Sequence, residues 1–156
     1  MEKQIEYVKE LTLTRLFDAP RARVWKAWTD PKILSQWWVP NGMTAPVCEL
    51  DVRPGGKLLI HLSGYGRINP VKGTFREVVQ GERLVFTNDG YESAESAEPV
   101  TRSITTVTMT EANGKTELTV HTGVLWTTPE AAQYLNGMEA TWTGQLDKLA
   151  ATLSMS

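Results

Sequence analysis

From Pro40-Asn41-Gly42 to about residue 124 the apolar residues recur at every second position between short turn signals, which is the pattern of a sheet and of little else. Cys48, Leu50 and Val52 share one strand face, and Arg53-Pro54-Gly55-Gly56 then turns the chain. Leu58, Ile60 and Leu62 share a face of the next strand, which breaks at Gly64 and Gly66. Gly73 to Val79, Glu82 to Thr87, Arg102 to Thr110 and Lys115 to Thr122 read as further strands, with Asn113-Gly114 as a hairpin turn between the last two. One more precedes them over residues 8–17, where Leu11 and Leu13 alternate with Thr12 and Thr14. Strands joined by turns this short pair antiparallel, because parallel neighbours need a long crossover.

A sheet with one apolar face needs a partner layer. Thr128-Pro129-Glu130 opens a helix with a capping hydroxyl, a proline at the first position and an acid in the first turn. Leu135, Met138, Trp142, Leu146, Leu149 and Leu153 follow at steps of three or four, a single helical stripe. The spacing predicts one long helix to near the C-terminus despite Gly137 and Gly144, each costing about 1 kcal/mol against Ala. Those two glycines point to a kink or to close packing on the sheet. Two shorter helices follow the first strand. Pro20 opens one, which carries Val24, Trp25 and Trp28. Asp30-Pro31 caps and opens the other, which carries Ile33, Leu34, Trp37 and Trp38 and ends before Pro40-Asn41-Gly42.

At 156 residues the chain fits one domain, residues 1–156, large enough to bury a core without disulfide staples. Cys48 is the only cysteine, so no internal disulfide can form, and a reducing cytoplasm is the expected compartment. The N-terminal Met-Glu-Lys-Gln-Ile-Glu lacks the apolar stretch of a signal peptide, and no run reaches the roughly 18 to 20 apolar residues of a membrane span. A net charge of −2 argues against a nucleic-acid partner, which calls for a basic face. Asp89, Glu92, Glu95 and Glu98 gather beside Gly90 and Pro99, which reads as a solvated hairpin tip.

Four segments in order, FDAPRARVWKAWTDPKILSQWW (Phe17 to Trp38), RPGG (Arg53 to Gly56), GTFREVVQGERLVFT (Gly73 to Thr87) and WTGQLDKLAATL (Trp142 to Leu153), resemble the heat-shock protein 90 ATPase-activator-like family of the START and pollen-allergen-like superfamily. The resemblance implies an α+β helix-grip fold: a curved, antiparallel, seven-stranded sheet wrapped around a long C-terminal helix, with two short helices closing one end. It also implies a cavity for an apolar or aromatic small molecule, or else a co-chaperone role in stress response. Thr141 departs from the family, which often has Gly immediately before the tryptophan of the last helix. A larger side chain there would set the helix farther from the sheet and reshape any pocket.

Chemistry-bearing residues are sparse. By parity His61 and His121 point away from the core, and no Cys/His cluster, His-Glu-x-x-His or Cys-x-x-Cys spacing offers a metal site. Cys48 reads as a small buried hydrophobe without a neighbouring base. RPGG lacks the spacing and ending of a phosphate loop. Glu77 shares the parity of Phe75 and Val79, so in an unbroken strand it faces inward, either paired with an arginine or orienting a ligand. Trp25, Trp28, Trp37 and Trp38 read as packing for the short helices, whereas Trp142, with Met138 one turn earlier, serves either core or pocket.

The expected lining of a pocket between sheet and helix is therefore Leu58, Ile60, Phe75, Glu77, Phe86, Val107, Met109, Met138 and Trp142. The leading reading is a binder of a small hydrophobic molecule with no catalytic residue, no metal and no cofactor, as a monomer or homodimer. The alternatives are a protein-interaction module that regulates a chaperone, and a cyclase- or hydrolase-like enzyme using Glu77.

Overall fold

The computed structural model describes residues 6–154; the charged N-terminal residues 1–5 lie outside the described residues. β1 (Lys9–Phe17) leads into α1 (Arg21–Thr29) and α2 (Pro31–Trp37). β2 (Thr44–Leu50), β3 (Lys57–Gly64), β4 (Arg67–Val79), β5 (Arg83–Thr87), β6 (Asp89–Gly90), β7 (Thr101–Ala112) and β8 (Lys115–Thr127) follow. A 3-10 segment, Ala131–Gly137, then precedes α3 (Met138–Ser154). All strands pair antiparallel in one sheet of order β1-β8-β7-β5-β4-β3-β2, and the two-residue β6 bridges β4 and β7 off that path. Bulges in β2, β4 and β8 bend the sheet. This is the α+β helix-grip arrangement.

Local chemistry explains the junctions. Asp30 closes α1 and caps α2, its Oδ1 accepting from Lys32 N at 2.9 Å, with Pro31 at the first helical position. In the Arg53-Pro54-Gly55-Gly56 turn a Cβ on Gly56 would lie 1.9 Å from the Asp51 carbonyl oxygen, so only glycine fits. Tyr65 and Gly66 both take positive φ, 55° and 79°, and turn the chain directly back. β4 consequently begins at Arg67, earlier than the Gly73 that the sequence indicates.

The C-terminal element departs from expectation too. The stripe beginning at Leu135 is not one continuous α-helix: the chain is 3-10 through Gly137 and turns α-helical at Met138. The Thr128 hydroxyl does cap the entry, accepting from Ala131 N at 3.2 Å. In the acidic segment, Glu92, Glu95 and Glu98 are exposed in the loop after β6, but Asp89 sits half-buried within β6. Burial pushes the Asp89 carboxyl up, opposed by Arg102, the Ser103 N–H and Arg76.

The core lies between the inner sheet face and α3. Leu146, Leu149 and Leu153 are buried with Val107, Leu118 and Val120 of the sheet and Val24, Leu34 and Trp37 of the short helices. Burying each leucine contributes about 1.5–3 kcal/mol. Polar ties hold α3 in place: Arg15 to Asp147 at 2.6 Å, Lys148 Nζ to the Val39 carbonyl at 2.8 Å, and Arg23 to the Leu153 carbonyl. No helix among the described residues is long and apolar enough to cross a membrane.

Candidate functional site

The inner rows of the sheet change character along their length. On β7, Met109 and Val107 lead to Thr105 and Ser103; on β8, Leu118 and Val120 lead to Thr122 and Val124. Leu84 and Phe86 of β5 lead to Asn88 just beyond it. The apolar ends are filled by α1, α2 and the later turns of α3. The 3-10 segment and the first turns of α3 stand over the polar ends, and there the layers part to leave a cavity of about 730 Å³.

Its depth and rim differ. Ser103, Thr122, Val124 and Trp142 are buried wall residues, with Leu62, Val71 and Met138 half-buried beside them. Tyr65, Arg67, Glu92, Glu130, Gln133 and Tyr134 also line the cavity but are exposed, so they form its mouth. All the charged lining residues are at that mouth.

One hydrogen-bonded row crosses the deep wall. Thr105 Oγ1 donates to Asn88 Oδ1 at 2.8 Å and lies 3.0 Å from Thr122 Oγ1. A hydroxyl has one proton, and an amide oxygen can only accept, so Thr122 donates to Thr105. The Thr122 lone pairs and the Asn88 amide protons remain for a guest in the cavity. Fully buried Thr105 is thus satisfied on both sides.

The expected lining residues divide sharply. Met138 and Trp142 line the cavity. Leu58, Ile60, Phe75 and Phe86 do not; they surround a separate void of about 10 Å³, together with Trp28, Leu34, Trp38 and Leu50. That space holds about one water at most. Val107 and Met109 are packed core, 0% and 4% exposed. Hydrophobicity alone selected the residues that fill space, and these are the ones with no space beside them.

Glu77 is a different correction. A bulge between Phe75 and Glu77 breaks the parity of β4, so Glu77 is exposed, with Oε1 3.1 Å from Arg83 Nε. It does not face the cavity, and the acid–base role considered for it loses its geometry.

The remaining reactive groups also lie elsewhere. His121 Nε2 meets Glu10 Oε1 at 2.9 Å, with the Tyr7 ring edge-on at 5.6 Å. His61 pairs in register with Val47 and Pro70, out of phase with Ile60 and Leu62. Cys48 is half-buried, and desolvation, then the Asp30 charge, pushes its thiol up to about 11. Trp28 and Trp37 stack edge to face at 4.7 Å, and Trp37 Nε1 donates to the Ala27 carbonyl at 2.9 Å.

Sequence reasoning missed Leu62, Val71, Asn88, Ser103, Thr122 and Val124 as lining. A signal existed: Ser103, Thr105 and Thr122 occupy core parity with polar side chains, which marks where close packing ends.

Comparison with known proteins now fits the geometry. Residues 18–154 match the family described as "Activator of Hsp90 ATPase homolog 1-like protein". No curated protein matches the chain. Among solved structures, protein CV1439 from Chromobacterium violaceum is 26% identical, with 94% of this chain and 98% of that one covered and a TM-score of 0.78. Protein Mll3558 from Rhizobium loti is 27% identical over 93% of this chain and 96% of that one, at 0.74. A solution structure of a protein from Arthrobacter aurescens, 24% identical over 99% and 91%, shares the fold at 0.81. With the match spanning nearly the whole chain, the protein belongs to the activator of Hsp90 ATPase homolog 1-like family.

Proposed function

We propose that this chain binds a small apolar or aromatic molecule in the cavity between the sheet and the start of α3, without turning it over. The observation that carries the reading is the cavity itself. Its volume of about 730 Å³ falls in the range of about 300–1,000 Å³ typical of small-molecule sites. Leu62, Val71, Val124, Met138 and Trp142 supply apolar wall, and a few neutral polar groups supply orientation. Binding without turnover is assigned because the one carboxylate considered as acid or base, Glu77, is on the outside, paired with Arg83.

Thermal melts and tryptophan fluorescence against a panel of lipids and aromatics test the proposal. A ligand at a hundred times its Kd adds about 2.7 kcal/mol of stability, a shift of several degrees for a domain of this size. Unmoved melts and unmoved fluorescence across the panel would defeat it. Stimulation of an Hsp90 ATPase by the same preparation would then put the chaperone-regulating reading in its place.

A further inference from the structure

We infer that the ligand of this cavity carries a neutral oxygen, a hydroxyl or a carbonyl, on its apolar body, and that the Ser103 hydroxyl receives it. The inference rests on the reading of the cavity as a ligand site and adds what the guest must present.

Ser103 is 8% exposed and lines the cavity, and its hydroxyl has no hydrogen-bond partner among the described residues. A hydroxyl on an otherwise apolar wall finds its partner only in what occupies the cavity, and a wall meant only for hydrocarbon would carry Ala or Val there. Its neighbours complete a receptor patch. Asn88 N donates to the Ser103 carbonyl at 2.9 Å, which brings the Asn88 side chain beside Ser103 across the strands. Thr105 pairs in register with Thr122, and both are tied to Asn88 through hydroxyls. The patch therefore offers a hydroxyl at Ser103, amide protons at Asn88 and lone pairs at Thr122, all uncharged.

That lack of charge fixes the ligand's class. Arg67, Glu92 and Glu130 are confined to the exposed rim, and the nearer Arg102 and Arg76 do not line the cavity and already face the Asp89 carboxyl, so a carboxylate at Ser103 would be desolvated with no cation among the deep wall residues. The Ser103 N–H is already engaged by the Asp89 carboxyl, whose own charge further disfavours an anion nearby. A phenol, alcohol or ketone meets the patch without that cost, while its body lies against Trp142, Met138 and Val124.

Three naphthalenes bearing hydroxyl, methyl or carboxylate at the same carbon provide the test, by calorimetry on the wild-type chain and on Ser103→Ala and Ser103→Thr. Ser103 Oγ makes no internal bond among the described residues, so Ser103→Ala gives up none, and its melt verifies the fold. The expected result is an about tenfold loss of naphthol affinity in Ser103→Ala, with methylnaphthalene changed less than about twofold and Ser103→Thr restoring the naphthol. Naphthoate should bind the wild type more weakly than naphthol. Methylnaphthalene binding accompanied by naphthol binding indifferent to Ser103→Ala, or naphthoate binding tighter than naphthol, overturns the inference and leaves the cavity a ligand site. Failure of all three to bind the wild type overturns both.

Discussion

The indole of Trp38 meets the indole of Trp142 edge to face, with ring centroids 6.3 Å apart and planes at 65°. Trp38, at the end of α2, borders the minor void, and Trp142, in the second turn of α3, borders the large cavity. The pair is therefore the partition between filled core and open site. Lys148, farther along α3, secures the same junction through the Val39 carbonyl.

The pair should be coupled in stability. Each tryptophan is nearly buried, 6% and 7% exposed, so truncating either to Ala should cost about 3–5 kcal/mol in urea unfolding. A double-mutant cycle with Trp38→Leu and Trp142→Leu should return a coupling of about 0.5–1.5 kcal/mol. Strictly additive losses would show that the ring contact contributes nothing beyond burial.

Core and cavity should separate by mutation. Ile60→Ala empties packed space and should cost about 2–5 kcal/mol, yet leave methylnaphthalene affinity intact. Val71→Trp projects into the cavity and should do the reverse, lowering affinity at least about tenfold, some 1.4 kcal/mol, with little change in Tm. If Ile60→Ala abolished binding in a chain that still folds, the guest would sit at the closed end instead.

These two residues also show how far the sequence could be read. Ile60 and Val71 face each other across β3 and β4, and alternation alone identified the first as inward. Alternation holds wherever pairing is uninterrupted, as along β1, β7 and most of β8, so the sheet and its antiparallel order were legible. It failed at Glu77, because a bulge adds a residue at a position set by pairing with β5 and not by the local sequence. It failed again at Leu135, because a step of three or four suits a 3-10 turn as well as an α-helix. The cavity was misplaced for a deeper reason. Where side chains stop meeting depends on the distance between α3 and the sheet, which no residue pattern encodes directly.

Neutralising Glu77 should do little. Its bond to Arg83 joins two half-exposed side chains, and pairs of that kind contribute about 0–1 kcal/mol. Glu77→Gln should shift stability by less than about 1 kcal/mol and leave naphthol binding unchanged. Lost binding in a folded Glu77→Gln protein would return this carboxylate to the site.

Cys48 should be a slow thiol. Its pKa of about 11 lies above the ordinary 9.0, so at neutral pH it holds less thiolate than a free cysteine. Iodoacetamide alkylation should accelerate with pH until about 11 in the native chain, and until about 9.0 in urea. The sign for stability follows: the folded state retains the proton longer, so the contribution is complete below 9.0 and is lost as pH rises toward 11. Cys48→Ser should flatten that alkaline loss. Alkylation of the native thiol as fast as in urea at pH 8 would mean that burial does not protect it.

Gly137 should be replaceable at a gain. It is the last residue of the 3-10 segment, directly before α3, its φ is not positive, and a Cβ there would meet nothing within 4 Å. Alanine removes backbone freedom from the unfolded chain and favours helix, so Gly137→Ala should stabilise by about 0.4–1 kcal/mol, or about 1–4 °C in Tm for this length. The 3-10 segment carries Gln133, Tyr134 and Leu135 of the cavity mouth, so the gain should come with a firmer rim, read as slower amide exchange across 131–137. A lower Tm in Gly137→Ala would mean that the junction relies on a conformation that alanine resists, and the break before α3 would then be a required hinge and not merely a weak point in the helix.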